Sequence, residues 1–276
     1  FTLVSWFFTQ VLAPLGGSPA WCSNLLGALF DTASAAFVYL SVDEFLRPSA
    51  GGAARERRPR FDAPPAIARA AGALAAMGAF AFSPLIWMYA THAEVFAMNN
   101  ALVGGIVFLA IRFGRTHSLR VAELGAFACG IALCNQHTAV LYEVPLIGWI
   151  LYTLWSIGEL GAQRFAKLAC LFFAGLLPYA YLPIAQGQRM QPGSWGDVRS
   201  AAGLLHHVRR ADYGTFKLYA ADEVTAGLVE RLKIHAIDVC TRQMPDGVGI
   251  GGALALIGAA LTLLPRRGLP ATAAAA

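Results

Sequence analysis

Apolar runs of about 20 residues recur along nearly the whole chain, and that spacing allows few folds. They fall at residues 19–42, 66–90, 95–111, 121–138, 139–157, 166–186 and 247–265. Each is close to the ~20 residues that a helix needs to cross a bilayer. Only 13% of the residues are charged and 57% are hydrophobic, against roughly 25% charged for a soluble domain. The sequence therefore predicts an all-α polytopic membrane protein with seven crossings. Phe1 to Leu15 is apolar but shorter, a length more typical of an interfacial helix than of a span. The first residue is Phe, which leads us to expect a start inside a longer protein or after processing.

Orientation follows from the basic residues. Arg47, Arg55, Arg57, Arg58, Arg60 and Arg69 lie in or beside the connection 43–65. Arg112, Arg115 and Arg120 flank the next such turn, Arg164 and Lys167 the one after, and Arg266 and Arg267 the end. The turns 14–20, 92–99 and 135–138 carry none. The bias of Lys and Arg toward the cytosol puts the basic turns there and the uncharged turns in the lumen. The long connection 187–246 then falls on the lumenal side, where length overrides charge. Topology accounts for the net charge of +5, and no nucleic-acid partner is needed. The resulting organisation is an interfacial lumenal helix over 1–15, a six-span bundle over 16–186, a lumenal loop with amphipathic helices over 187–246, a seventh span over 247–265 and a tail over 266–276. Composition predicts a mobile cytosolic segment within 43–65. Five cysteines without a CxxC or Cys/His spacing give no reason to expect a metal site or a disulfide framework.

Two polar knots interrupt the apolar runs on the lumenal side: Thr91 to Asn100, and Cys134-Asn135-Gln136-His137-Thr138. An acid near the centre of a span costs roughly 2.5–3.5 kcal/mol, so Glu94 needs a reason. It has two: a site at the water boundary, or a capping box with Thr91, whose Ser/Thr-x-x-Glu spacing fits a helix start. Asn99 and Asn100 lie deeper, either bonding between helices or touching a ligand. Asn135, Gln136 and His137 exceed what a polar turn requires, and His137 could hold phosphate or orient a base. Asp31, midway along a span, is expected to face the bundle interior and pair with a polar neighbour.

In the lumenal loop, Trp195-Gly196-Asp197 reads as a turn, with Asp197 able to cap a helix running to about Arg210. Ala201, Leu204, Leu205 and Val208 form one apolar stripe, from which His206, His207 and Arg210 are expected to project. Gly214 would end this helix, and a second amphipathic stretch covers 225–240. Trp195 and Tyr213 suit either stacking on sugar or anchoring among headgroups.

Ala93-Glu94-Val95-Phe96-Ala97-Met98-Asn99-Asn100, Leu133-Cys134-Asn135-Gln136-His137-Thr138, Gly175-Leu176-Leu177-Pro178-Tyr179, Trp195-Gly196-Asp197 and Tyr213-Gly214-Thr215-Phe216 occur in the order that resembles the transmembrane protein 260 family. The resemblance runs from Phe1 to about Phe216 and fades after Lys217. It implies a GT-C-like helix bundle in the endoplasmic reticulum membrane, working as a protein O-mannosyltransferase. Dolichyl-phosphate mannose would be the donor and a lumenal protein the acceptor, with the bilayer as surroundings and no cofactor. Within that frame Asn100, Asn135, Gln136, His137, Trp195, Asp197, His207, Arg210 and Tyr213 are the candidates for binding donor phosphate or sugar. In such enzymes the principal base is an acid of a Gly-Asp-Ser-Gly-Glu type motif, which would precede the segment matching Phe1. It is absent from this sequence, so Glu94 is the catalytic candidate within the chain, and the chain alone is expected to be an inactive fragment. A transporter or channel is the rival from another class, though the polar groups gather at the lumenal ends rather than the midplane. A catalytically dead assembly subunit is the third reading.

Overall fold

The computed structural model describes residues 1–47, 66–187, 196–209, 211 and 227–238. The expected seventh span, most of the basic connection 43–65, the tail, and Trp195, Arg210, Tyr213 and Gly214 lie outside the described residues. The chain divides into two units, Phe1–Ala226 and Gly227–Ala276. Within the second, a helix forms over Leu228–Asp238, inside the stretch expected to be amphipathic.

In the first unit every described element is helical. They are α1 (Thr2–Leu12), α2 (Pro19–Leu46), α3 (Ala66–Ala81), α4 (Pro84–Ala90), α5 (Val95–Thr116), α6 (Leu119–Asn135), α7 (Val140–Ser156), α8 (Ala162–Gly175), α9 (Tyr181–Gln186) and α10 (Ala201–Val208). Three helices are long and apolar enough to cross a membrane: α2, α5, and α7 with its leading turn. The count rises to five if each bent pair forms one span. α6, with 17 residues, reaches about 26 Å, near the lower limit of spanning helices. The apolar run 66–90 is broken at Ser83-Pro84, where α3 and α4 meet at 65°; the proline supplies the first residue of α4 and cannot continue the ladder behind it. The run 166–186 bends by 45° between α8 and the segment Leu177–Gln186, again beside a proline, Pro178.

Start and stop signals explain the boundaries. Ser18 caps α2, its hydroxyl accepting from Trp21 N at 3.2 Å, with Pro19 at the first helical position. His117 ends α5 in the left-handed conformation, φ 48°, and the two-residue turn His117-Ser118 forces α6 to run antiparallel to α5. A short 3-10 turn, His137–Ala139, reverses the chain again into α7. Large side chains on the bundle's outside remain exposed, among them Trp6, Phe7, Leu141, Val144 and Trp155, as a lipid-facing surface requires.

Helices in lipid associate through close packing and interhelical hydrogen bonds rather than through hydrophobic burial, and both devices are present. Gly104 and Gly105 of α5 receive the Phe37 ring of α2. α6 and α8 cross at Gly130 and Gly175, so closely that a Cβ on Gly175 would stand 2.3 Å from Phe127 O. Ile106 of α5, Cys129 and Ala132 of α6 and Ala139 before α7 form one core cluster, and Phe113, Ala122, Leu154 and Leu168, from α5, α6, α7 and α8, a second.

The basic end of the bundle is tied by ion pairs. Arg47 and Arg69 both bond Asp43, at 2.6 Å each. Arg115 meets Glu44 Oε1 at 3.2 Å and donates to the carbonyls of Glu44 and Arg47. Lys167 joins α8 to Glu123 of α6 at 2.6 Å. These contacts link α2, α3 and α5, and α6 and α8, at their arginine-bearing ends.

Candidate functional site

At the opposite end the two polar knots come together. Asn135, the last residue of α6, donates from Nδ2 to Val95 O at 3.0 Å, and its Oδ1 lies 3.2 Å from the Phe1 nitrogen. That single amide therefore ties α6 to the start of α5 and to α1. The chain before α5 also presses on α2: a Cβ on Gly27 would stand 3.0 Å from His92 O and 3.1 Å from Ala90 O. Glu94 sits at the tip of this assembly, exposed, as the N-cap residue of α5.

The capping-box reading is corrected here. Glu94 is itself the capping position, its side chain makes no cap bond, and the Thr91 hydroxyl turns back to Met88 O at 3.0 Å. The bend after α4 ends one helix at Thr91 before the next begins, so the pair never occupies the Ncap and N3 positions of one helix. The Glu94 carboxylate is left facing outward.

His137 is the junction between bundle and lumenal loop. Its Nε2 lies 3.1 Å from Val208 O, at the end of α10, and 3.1 Å from the Tyr179 hydroxyl. The Tyr179 hydroxyl in turn donates to Leu133 O at 3.1 Å. One assignment satisfies all three contacts: Nε2 carries the proton and donates to Val208 O and Tyr179 Oη, while the tyrosine proton goes to Leu133 O. His137 is therefore a fastener for α10 through Nε2. Its neighbour Gln136 keeps a buried Oε1 without a hydrogen-bond partner, an acceptor held ready beside the turn.

α10 differs from expectation in its cap and its facing. Its N-cap is Ser200, whose hydroxyl accepts from Gly203 N at 3.0 Å, in place of Asp197. The Asp197 carboxylate instead takes Arg199, with Nε donating at 2.7 Å and the Arg199 backbone N at 3.1 Å to the same oxygen. That pairing holds the exposed Asp197 carboxyl down to about 2. The half-buried positions of α10 are Gly203, Leu204, His207 and Val208, while Leu205 and His206 are exposed. The hydrogen bond from His137 turns Val208 inward and brings His207 with it, so the two histidines do not share one outward face.

Asn100 lies deeper and elsewhere. Its Nδ2 donates to Asp31 Oδ1 at 3.2 Å, an interhelical bond between α5 and α2. Asp31 is 5% exposed and does face the interior with a polar partner, as its position in the span implies.

The family represented by the description "Protein O-mannosyl-transferase TMEM260 N-terminal domain" matches residues 1–158. The chain belongs to the TMEM260 family. The Protein O-mannosyl-transferase TMEM260 of Mus musculus is 36% identical over 245 residues, which cover 87% of this chain and 31% of the mouse protein. The protein of the same name from Dictyostelium discoideum is 30% identical over 276 residues, covering 94% of this chain and 30% of the relative. The chain thus spans about a third of the length of these curated relatives. No solved structure matches it.

For this TMEM260 family member, two residues escaped the sequence reading. Tyr179 was visible as part of the Gly175 to Tyr179 motif, but nothing in that motif says which carbonyl or ring its hydroxyl meets. Glu143 in the first turn of α7 is 2% exposed, with Oε1 lacking a partner. It is the only Asp, Glu, Lys or Arg in the run 139–157, and an ionisable residue inside a span is a signal that could have found it. Asn135, Gln136, His137, Tyr179 and α10 are brought together; Glu94 lies beside Val95, to which Asn135 reaches. Asn100 and Asp197 engage other partners.

Proposed function

We propose that this chain is the membrane-embedded part of an endoplasmic reticulum protein O-mannosyltransferase, moving mannose from dolichyl-phosphate mannose to Ser or Thr hydroxyls of lumenal proteins. The observation that carries the reading is the meeting of both polar knots and α10 at one end of the bundle, opposite the ion-paired arginines. Membership of the TMEM260 family supplies the chemistry to which that end is assigned.

In the reaction the acceptor hydroxyl oxygen bonds to the anomeric carbon, the bond from that carbon to the phosphate oxygen breaks, and dolichyl phosphate leaves with the electron pair. The hydroxyl proton passes to a carboxylate, a step worth roughly 10²- to 10⁴-fold. Glu94 is an exposed carboxylate at this end of the bundle and the candidate to take that proton. His207 and Arg210 are assigned to the leaving phosphate, where hydrogen-bond donors stabilise developing charge. Gln136 Oε1 suits a sugar hydroxyl, since a buried acceptor without a partner gains most from a new donor. His137 and Tyr179 hold α10 in place for the others.

The test is transfer by the complete protein in microsomes supplied with dolichyl-phosphate mannose, comparing Glu94→Ala, His137→Ala and Arg210→Ala. Each is expected to lower transfer by at least about tenfold. Unchanged transfer in all three rejects the site. A complete protein with no transfer at all favours an assembly subunit without catalysis.

A further inference from the structure

Below the polar knots, toward the arginine-bearing end, the bundle holds an apolar slot. Its volume is about 290 Å³, nearly twice the ~150 Å³ of an apolar cavity that stays dry and takes up benzene or xenon. Helices α5, α6, α7 and α8 each supply part of the wall, and every side chain around it is apolar apart from the Cys129 thiol. α8 packs on α6, and α7 on α5 and α6, while α7 and α8 barely meet; the slot opens sideways between those two. Phe165 and Phe173 of α8 mark its rim, since both line the slot and yet are 53% and 65% exposed. Gly125 lies on the floor: it is buried, but nothing stands within 4 Å of where its Cβ would be. Along α6 the slot runs from Val121 to Cys129, about 12 Å at a helical rise of ~1.5 Å per residue. That length is close to the ~15 Å half-thickness of a bilayer's hydrocarbon core.

We propose that the slot holds one acyl chain of a phospholipid from the leaflet facing the basic turns. Depth selects the leaflet: Val121 lies in the first turn of α6, at the end where Lys167 meets Glu123, and the wall stops near mid-membrane at Cys129. The wall selects a hydrocarbon chain, because its atoms gain dispersion contacts only from something equally apolar that packs against them. Position argues against the mannosyl donor: Ala132 and Ala139, both fully buried, close the bundle between Cys129 and the polar knots. A polar cavity that includes Glu123 and Lys167, sequence neighbours of the slot residues Ala122 and Leu168, gives room for a head group at the basic end. Its charges are already paired, Lys167 with Glu123 and Arg164 with Glu159, so the chain decides binding and the charge of the head group does not. This site is independent of the transferase reading, since it lies in the other half of the bundle.

The experiment reconstitutes the complete protein in nanodiscs of phosphatidylcholine with a photoactivatable diazirine midway along one acyl chain, and maps the crosslinked residues by mass spectrometry. Labelling is expected on Ile106 and Cys129, which line the slot and are each 3% exposed, so chains that stay outside the bundle cannot reach them. Labelling confined to outward residues such as Leu141 and Trp155 would overturn the proposal. Gly125→Leu fills the slot, and Gly148→Leu makes the same change at an exposed position of α7 where nothing lies within 4 Å. Labelling of Ile106 and Cys129 should fall roughly tenfold in the first and less than about twofold in the second. No fall in Gly125→Leu, or an equal fall in both, would refute a chain bound in the slot. Thermal midpoints separate binding from unfolding; if Gly125→Leu does not fold, Gly125→Ala takes its place, with an expected fall of about two- to threefold for the smaller group. Phosphatidylserine with the same diazirine chain should label within about twofold of phosphatidylcholine, and a larger difference would overturn selection by the chain. Loss of the label to an equal amount of dolichyl phosphate would overturn the assignment to a phospholipid.

Discussion

Placing one methyl group at the α6–α8 crossing tests the packing that positions Tyr179. In Gly175→Ala the new Cβ would lie 2.3 Å from Phe127 O and 2.9 Å from both Gly130 Cα and Ile131 N. The first of these is more than about 1 Å inside ordinary van der Waals contact. All three atoms are backbone, so no side chain can rotate away and the helices must part. Gly130→Ala meets the same obstacle from the other side, with Phe172 O at 2.1 Å. Overpacking of this kind costs about 1–3 kcal/mol. The higher helix propensity of alanine returns at most about 1 kcal/mol, and less at Gly175 because it ends its helix. We expect each variant to lose about 1–2 kcal/mol in reversible unfolding in mixed micelles. The double variant should lose less than the sum, since one separation relieves both clashes. Gly125→Ala is the control: nothing lies within 4 Å of its Cβ position, and it should gain up to about 1 kcal/mol. Equal stability of Gly175→Ala, Gly130→Ala and Gly125→Ala would refute the close crossing.

Three further outcomes are expected. Tyr179→Phe removes the hydroxyl shared by Leu133 O and His137 Nε2; it should cost about 1 kcal/mol and speed hydrogen exchange in α10 more than in α2. Asp31→Asn keeps an acceptor for Asn100 and removes a buried carboxylate, so it should be neutral or stabilising, whereas a double-mutant cycle of Asp31→Ala with Asn100→Ala should give a coupling of roughly 0.6–1.7 kcal/mol in micelle unfolding. The Asp197 carboxyl, lowered from 3.8 to about 2 by Arg199, favours the folded loop above pH 3.8 and loses that contribution as pH falls through about 2. An NMR titration of the carboxyl carbon checks it: a midpoint near 3.8 would remove the pair.

Spacing and charge bias were readable without any coordinates because they depend on the bilayer rather than on neighbours. A run near 20 residues announces a helix wherever its partners lie, and the helices observed between Pro19 and Gln186 fall on the runs expected. Asp31 likewise declared its need for a partner, since a carboxylate in hydrocarbon has no other stable environment. The direction of the chain at Ser83-Pro84 was less legible: proline marks a break but not its 65° angle.

What the sequence by itself determined about this protein is its class, roughly where its helices fall, and which ends carry arginine, because bilayer thickness and charge desolvation act on each segment separately. Tertiary structure alone decided which amide reaches which carbonyl. Asn135 links α6 to α5, His137 and Tyr179 hold α10, Glu94 is left outward, and His207 turns inward with Val208. These outcomes depend on the angle between packed helices and on bonds between residues as many as 71 positions apart. No local pattern along the chain encodes such distances; close packing of the whole bundle does.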